Sequence, residues 1–271
     1  RCRLVGGGAN SRLAALGGGD HRGAVGGADP WGRVPAPVLR GSITGIVTTS
    51  AKADITGIEV KIAETSQTTL TDSLGNWTIN DVKAGIYTLE FSKAGYGTSK
   101  IQNYSFVGGG VSRVTSSISL TNLPAHTATH IDLIEAPTDD QGQFSCIVNF
   151  TPEAPRSEVR YFRVYFSKNR NFAPTNGDFF FTTTFTRFQA NPYSDITLRV
   201  KSIVPSLKTK NSSSSMSPFV KGDSVYVAVC ASASSGSTPN AASGFYDNLN
   251  FGQYVYTDVT APTNTVGFVL P

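Results

Sequence analysis

Apolar and polar residues alternate along most of this chain with a period of two. Ile43, Gly45 and Val47 alternate with Thr44 and Ile46, and Ile58, Val60 and Ile62 with Glu59, Lys61 and Ala63. Successive side chains of a strand point to opposite faces, so each stretch predicts a strand with one face buried. In Thr71-Asp72-Ser73-Leu74-Gly75-Asn76, Asp72 and Gly75 suit a tight turn, since Asp bonds nearby backbone and Gly takes positive φ. Trp77 and Ile79 restart the alternation. After a turn at Ala84-Gly85, Tyr87, Leu89 and Phe91 alternate with Ile86, Thr88 and Glu90. Gly95-Tyr96-Gly97 closes this stretch, and Val114–Leu120 supplies a last strand.

The pattern resumes beyond residue 131. Phe144, Cys146, Val148 and Phe150 line one face; so do Phe162, Val164 and Phe166, and then Ile196, Leu198 and Val200. One apolar and one polar face per strand predicts antiparallel sheets packed on one side. Tyr226–Ala231 is more uniformly apolar and suits a central strand; Gln253–Val259 gives another. Pro205–Gly222, with its Ser run, and Ser232–Asn250 read as surface loops. Residues 122–131 read as a polar linker. Pro124 discourages helix before it; a helical reading of the stretch after it would align His126 and His130 as metal ligands, whereas the extended reading, which the Thr-rich context fits, separates them. His130 and Asp132 would share a face and could hold only a weak metal. The prediction is an all-β chain: a flexible Gly-rich N-terminal arm (1–40), a β-sandwich (41–121), a linker (122–131) and a second β-sandwich with long loops (132–271).

Composition narrows the function classes. The 271 residues include 27 Gly and 15% charged residues, a share well below the usual quarter. Residues 1–40 carry six Arg against two Asp, whereas residues 41–271 balance 17 basic against 17 acidic groups. A neutral body with a short Arg-bearing arm lacks the basic face of a nucleic-acid binder, so no nucleic acid is expected as partner. No apolar run approaches the length of a membrane-spanning helix, so no membrane span is expected. The arm has no apolar stretch of the kind a signal peptide needs and is not read as one. Two readings of it stay open: a segment foreign to the natural mature protein, or an assembly arm that orders on a neighbouring subunit.

Gly45-Ile46-Val47, Gly57-Ile58-Glu59-Val60, Thr71-Asp72-x-x-Gly75-x-Trp77-x-Ile79 and Val82-x-Ala84-Gly85-x-Tyr87-x-Leu89-x-Phe91 occur in this order. With these marks, residues 41–121 resemble the carboxypeptidase regulatory-like domain. The resemblance implies a seven-stranded transthyretin-like sandwich and an accessory role. It does not imply peptidase activity: none of His21, His126 and His130 is followed by Glu at the third position, as a zinc pair of that type requires. Ala136-Pro137, Phe150-x-Pro152, Tyr161–Phe166 and Tyr226-x-Ala228-x-Cys230 resemble strands A, B, C and F of a fibronectin type III or immunoglobulin-like domain, with Tyr226 as its tyrosine-corner candidate. In that alignment Cys146 and Cys230 would form the inter-sheet disulfide. The alternative is two buried free thiols. Cys2 lies in the arm.

Catalytic chemistry is sparse. There is no P-loop, GxSxG elbow, HExxH or EF-hand loop, and the adjacent Asp139-Asp140 read as an exposed turn. We expect no enzyme activity, no cofactor and no metal site. Phe179-Phe180-Phe181-Thr182-Thr183-Thr184-Phe185-Thr186-Arg187-Phe188 offers two readings. It is a strand buried on both faces, or a sticky edge in which Phe179, Phe180, Phe181, Phe185 and Phe188 serve assembly. Tyr246 and Tyr254 are candidates for stacking on sugar rings. Asn211, Asn76 and Asn103 stand in sequons and are candidate glycosylation sites.

These features point to a secreted or bacterial cell-surface protein that is non-catalytic and structural or adhesive. It would be a homo-oligomer or polymer, a fibre subunit built by strand donation from residues 1–40 or from the last ten. The alternative is a carbohydrate-binding accessory module of a secreted system. Glycans or other cell-surface proteins are the further partners expected.

Overall fold

Alternation in the first half of the chain produces eight short strands. They are β1 (Arg40–Thr49), β2 (Glu59–Ile62), β3 (Thr68–Leu70), β4 (Asn76–Lys83), β5 (Gly85–Ser92), β6 (Ser99–Phe106), β7 (Val111–Arg113) and β8 (Ile118–Leu120). The structure is a computed structural model that describes residues 38–50, 54–176, 178–209, 217–234, 244–247 and 253–271. The arm, Cys2 and Asn211 therefore lie outside the described residues. One sheet has the order β4-β1-β7, with β8 also on β1; the other has the order β3-β2-β5-β6. Ile43 and Val47, Ile58, Val60 and Ile62, Trp77 and Ile79, Leu89 and Phe91 all point into one buried core, as their period requires.

Eight strands replace the seven implied: of the expected last strand, Val114–Leu120, only Ile118–Leu120 forms, as β8, and the short β7 precedes it. β7 runs parallel to β1 at Ser42–Thr44 and β8 rejoins it at Val47–Thr49. The Asp72–Asn76 turn forms as its residues dictate. The Asp72 carboxylate accepts the Leu74 and Asn76 amides at 2.8 Å each. Gly75 takes φ +79, and a Cβ there would lie 2.3 Å from the Val47 carbonyl oxygen, so only glycine fits.

The second half forms β9 (Thr127–Glu135), β10 (Phe144–Ala154), β11 (Val159–Ser167), β12 (Phe181–Phe188), β13 (Tyr193–Val200), α1 (Ile203–Lys208), β14 (Ser224–Ser232), β15 (Gly244–Asp247), β16 (Gln253–Tyr256) and β17 (Val266–Val269). A three-stranded sheet, β13-β10-β9, faces a four-stranded one, β12-β11-β14-β17, and β15-β16 form a hairpin apart. Phe144, Cys146, Val148, Phe162, Val164, Phe166, Leu198 and Val227 fill the space between the sheets. Each large apolar side chain buried there contributes about 1.5–3 kcal/mol. The chain is thus all-β, two tandem β-sandwiches, and Val38–Pro271 forms one compact unit.

Four expectations about the second half change. Pro205–Gly222 is not wholly a surface loop. Ile203, Val204 and Leu207 share one face of α1 and plug the end of the core, where Phe219 joins them. Pro205 is tolerated because first-turn amides have no intrahelical partner. Ser232–Asn250 contains β15. The linker is shorter than 122–131, since β9 already begins at Thr127. The last ten residues are not a free strand: β17 pairs antiparallel with β14, and Leu270 is buried in the core.

Candidate binding surfaces

β12 lies at the edge of its sheet and pairs with β11 alone. All eight of its residues pair without a register shift, from Phe181↔Phe166 to Phe188↔Val159. The other edges carry one of the devices that discourage pairing with a second chain. β9 has two register shifts against β10, and β13 has one. β4 and β6 each have one shift. β3 has three residues and β17 four. β12 holds a single charge, Arg187, whose guanidinium is drawn onto the Thr197 carbonyl at 2.8 Å.

The five phenylalanines of this segment do not act alike. Phe179 and Phe180 precede the strand and are buried on opposite sides of the sheet, Phe180 in the main core and Phe179 beneath its outer face. Neither can serve assembly. Phe181 and Phe185 are partly buried against the main core. Only Phe188 stands out, 58% exposed. The reading of a strand buried on both faces fails as well, because Thr186 and Phe188 are exposed.

Phe179 belongs to a second, smaller cluster on the outer face of β11 and β14, with Tyr165, Phe172, Ala228, Cys230, Tyr256 and Val259. Cys230 faces this cluster, whereas Cys146 faces the main core. The expected disulfide is therefore not formed. Both cysteines are buried free thiols, kept apart by the backbone of β14's sheet. Burial pushes the Cys146 thiol up to about 12 and Cys230 higher still. The same cluster buries Arg163, whose guanidinium carbon stacks 3.4 Å from the centre of the Tyr256 ring. Asp258 is also fully buried and accepts the Ser234 hydroxyl at 2.7 Å. Burial raises its carboxyl above the usual range, and the Arg163 charge opposes that rise.

The two sandwiches meet around Gly97. A Cβ there would lie 1.9 Å from the Thr257 carbonyl oxygen, so the backbones touch and no side chain fits. Gln102 donates to the Asp247 carboxylate at 3.1 Å across the same joint. His126 is buried against the second sandwich. Its ring meets Phe150 and Phe162 edge-on, and Nε2 lies 3.1 Å from the Tyr161 carbonyl. Burial depresses its pKa. His130 is exposed and lies 3.1 Å from Asp132, as the extended reading requires. Among the described residues no group of three or more His, Cys, Asp or Glu could hold a metal.

Beside the joint opens a cleft of about 360 Å³, lined from the first sandwich by Tyr96, Thr98 and Lys100 and from the second by Thr175 and Phe245. Lys100 pairs with Glu90 at 2.7 Å and lies 5.9 Å from the centre of the Phe245 ring. Tyr246 and Tyr254, the expected sugar-stacking pair, are direct cross-strand partners in the β15–β16 hairpin. Their side chains lie outside the described residues. Sequence reasoning passed over Tyr96 and Lys100; the Gly-Tyr-Gly turn was the one available signal. Asn76 is half-buried and its amide is held by Asp72 at 3.0 Å, while Asn103 is exposed at φ 57 on β6.

Residues 42–121 match the family model of the carboxypeptidase regulatory-like domain. No curated protein matches the chain. Among solved structures, it is similar to a chain of a type II cohesin–X–dockerin complex from Acetivibrio cellulolyticus, with 32% identity over 30% of this chain and a TM-score of 0.27. That alignment spans 57% of the other chain. It is also similar to a DUF3823 family protein from Bacteroides ovatus (9% identity, 86% of this chain, all of that one, TM-score 0.28). A third is the major pilin SpaD of Corynebacterium diphtheriae (14% identity, 85% of this chain, 67% of that one, TM-score 0.23).

Proposed function

We propose that this chain is a non-catalytic, secreted or cell-surface structural protein that assembles by accepting a strand at the β12 edge. One observation carries the reading: β12 is the long edge, among the described strands, with neither a register shift nor an outward-standing charge. Its free backbone groups would take an extended segment of a second copy, and Phe188 would cover it. Residues 1–37 are the donor left to consider, because β17 is already spent on its own sheet. The fibronectin type III or immunoglobulin-like assignment belongs to this proposal and draws support from the three-on-four sheet order. Polymerisation follows if the contact is head-to-tail and does not close.

Light scattering coupled to size exclusion, with electron micrographs of the same sample, tests the reading. The full chain should give long particles or a ladder of masses. A variant with Thr186→Lys and Phe188→Lys, both at exposed positions, should give a monomer near 28.7 kDa with unchanged melting. Deleting residues 1–37 should do the same. A monomeric full chain at every concentration rejects self-assembly, and assembly that survives the lysines removes β12 as acceptor.

A further inference from the structure

The cleft beside Gly97 is a second surface, independent of the β12 edge, and its chemistry is specific. Tyr96 and Phe245 are half-buried, so each presents part of a ring to the opening while the rest is packed. Thr98 and Thr175 add exposed hydroxyls. The one cation in the lining, Lys100, is neutralised by Glu90 at 2.7 Å, which leaves no net charge to attract a phosphate or carboxylate ligand. Apolar ring faces beside neutral hydroxyls and a paired ammonium and carboxylate suit a ligand that is apolar on one side and rich in hydroxyls on its edge. A neutral sugar ring has that character: its axial C–H bonds meet the negative face of an aromatic ring, and its hydroxyls need donors and acceptors around them.

The cleft is also preformed. The Gly97–Thr257 backbone contact and the Gln102–Asp247 hydrogen bond hold its two walls at a fixed distance, so little ordering is lost on binding. Its volume falls within the range of small-ligand sites, at the small end. We propose that this cleft binds one or two units of a neutral polysaccharide, with Phe245 and Tyr96 as the stacking platforms and the Lys100–Glu90 pair as hydrogen-bonding partner.

Calorimetric titration of the full chain with neutral hexasaccharides of β-1,4-glucose, α-1,4-glucose, β-1,4-mannose and β-1,4-xylose tests this. At least one should bind at micromolar to millimolar concentration. Phe245→Ala and Tyr96→Ala should each weaken that sugar tenfold or more. Thr98→Trp, which fills the opening from an exposed position, should abolish binding while melting stays as in the parent. No heat with any of the four sugars overturns the proposal, as does binding that survives both Phe245→Ala and Thr98→Trp. The Thr186→Lys, Phe188→Lys variant should bind sugar normally, so failure of the cleft and failure of the strand edge remain separate results.

Discussion

The two sandwiches handle the outer faces of their sheets differently. In the first, the outward positions of β2 and β5 carry Glu59, Lys61 and Glu90, none of them buried, and one core does the packing. In the second, the sheet that holds β11 and β14 is covered on both sides. Phe162, Val164 and Phe166 face the main core, while Arg163 and Tyr165 are buried under Phe179, Tyr256 and Asp258. A charge in the first sandwich therefore stands in water, and a charge in the second is held by its surroundings. The lesson is that one alternation pattern can describe a half-wet strand or a strand covered on both faces, depending on what the distant chain brings to it.

Removing one charge from each sandwich should expose this contrast most strongly. Arg163→Ala takes away the cation on Tyr256 and leaves the Asp258 carboxylate buried without it, which should cost about 3–5 kcal/mol. Arg40→Ala, at an exposed pair with Asp81, should cost at most about 0.5 kcal/mol, since such pairs are screened by solvent. Denaturant titration of both variants checks this, and equal losses would refute the contrast.

Gly97→Ala should come next, at about 1–3 kcal/mol, because the added methyl group meets backbone and not a movable side chain. Hydrogen exchange should quicken at Gln102 and Asp247 while the β2–β5 core stays protected. Quickening throughout both cores would mean that the joint holds up more than itself.

The smallest expected effect is a pH slope. Burial holds His126 below its ordinary value of 6.5, so as pH falls through 6.5 the unfolded chain takes up a proton that the folded chain refuses. Stability should drop as pH falls through 6.5, level off below the folded value, and lose this slope in His126→Phe. Asp258, raised from 3.8, acts in the opposite sense and only above that lower pH. Denaturant midpoints at pH 7.5 and 5.5 measure the difference.

The first sandwich was legible because its alternating residues have one job each. Trp77, Leu89 and Phe91 point where their period sends them, and the Asp72–Gly75 turn carries its own geometry. The second was legible in its core and obscure on its outer face. Phe179 and Phe180 looked like strand residues, yet they sit just before β12 and go to opposite sides of the sheet. α1 was hidden by Pro205 and by the Ser run after it. The cleft residues stand far apart in sequence, Tyr96 from Phe245, and each has a local reason to exist, so nothing in the linear pattern marks them as neighbours. The edge character of β12 is a property of sheet order, which no segment of sequence carries alone.

Cys146 and Cys230 lie on either side of one sheet, and that placement has a consequence for how the protein matures. Their sulfurs cannot meet without the sheet opening, and thiols held this far above neutrality are poor nucleophiles. The two sandwiches therefore reach the same covalent form in reducing and in oxidising surroundings. They need no disulfide-forming enzyme to finish folding, and a change of compartment gives these two thiols nothing to exchange.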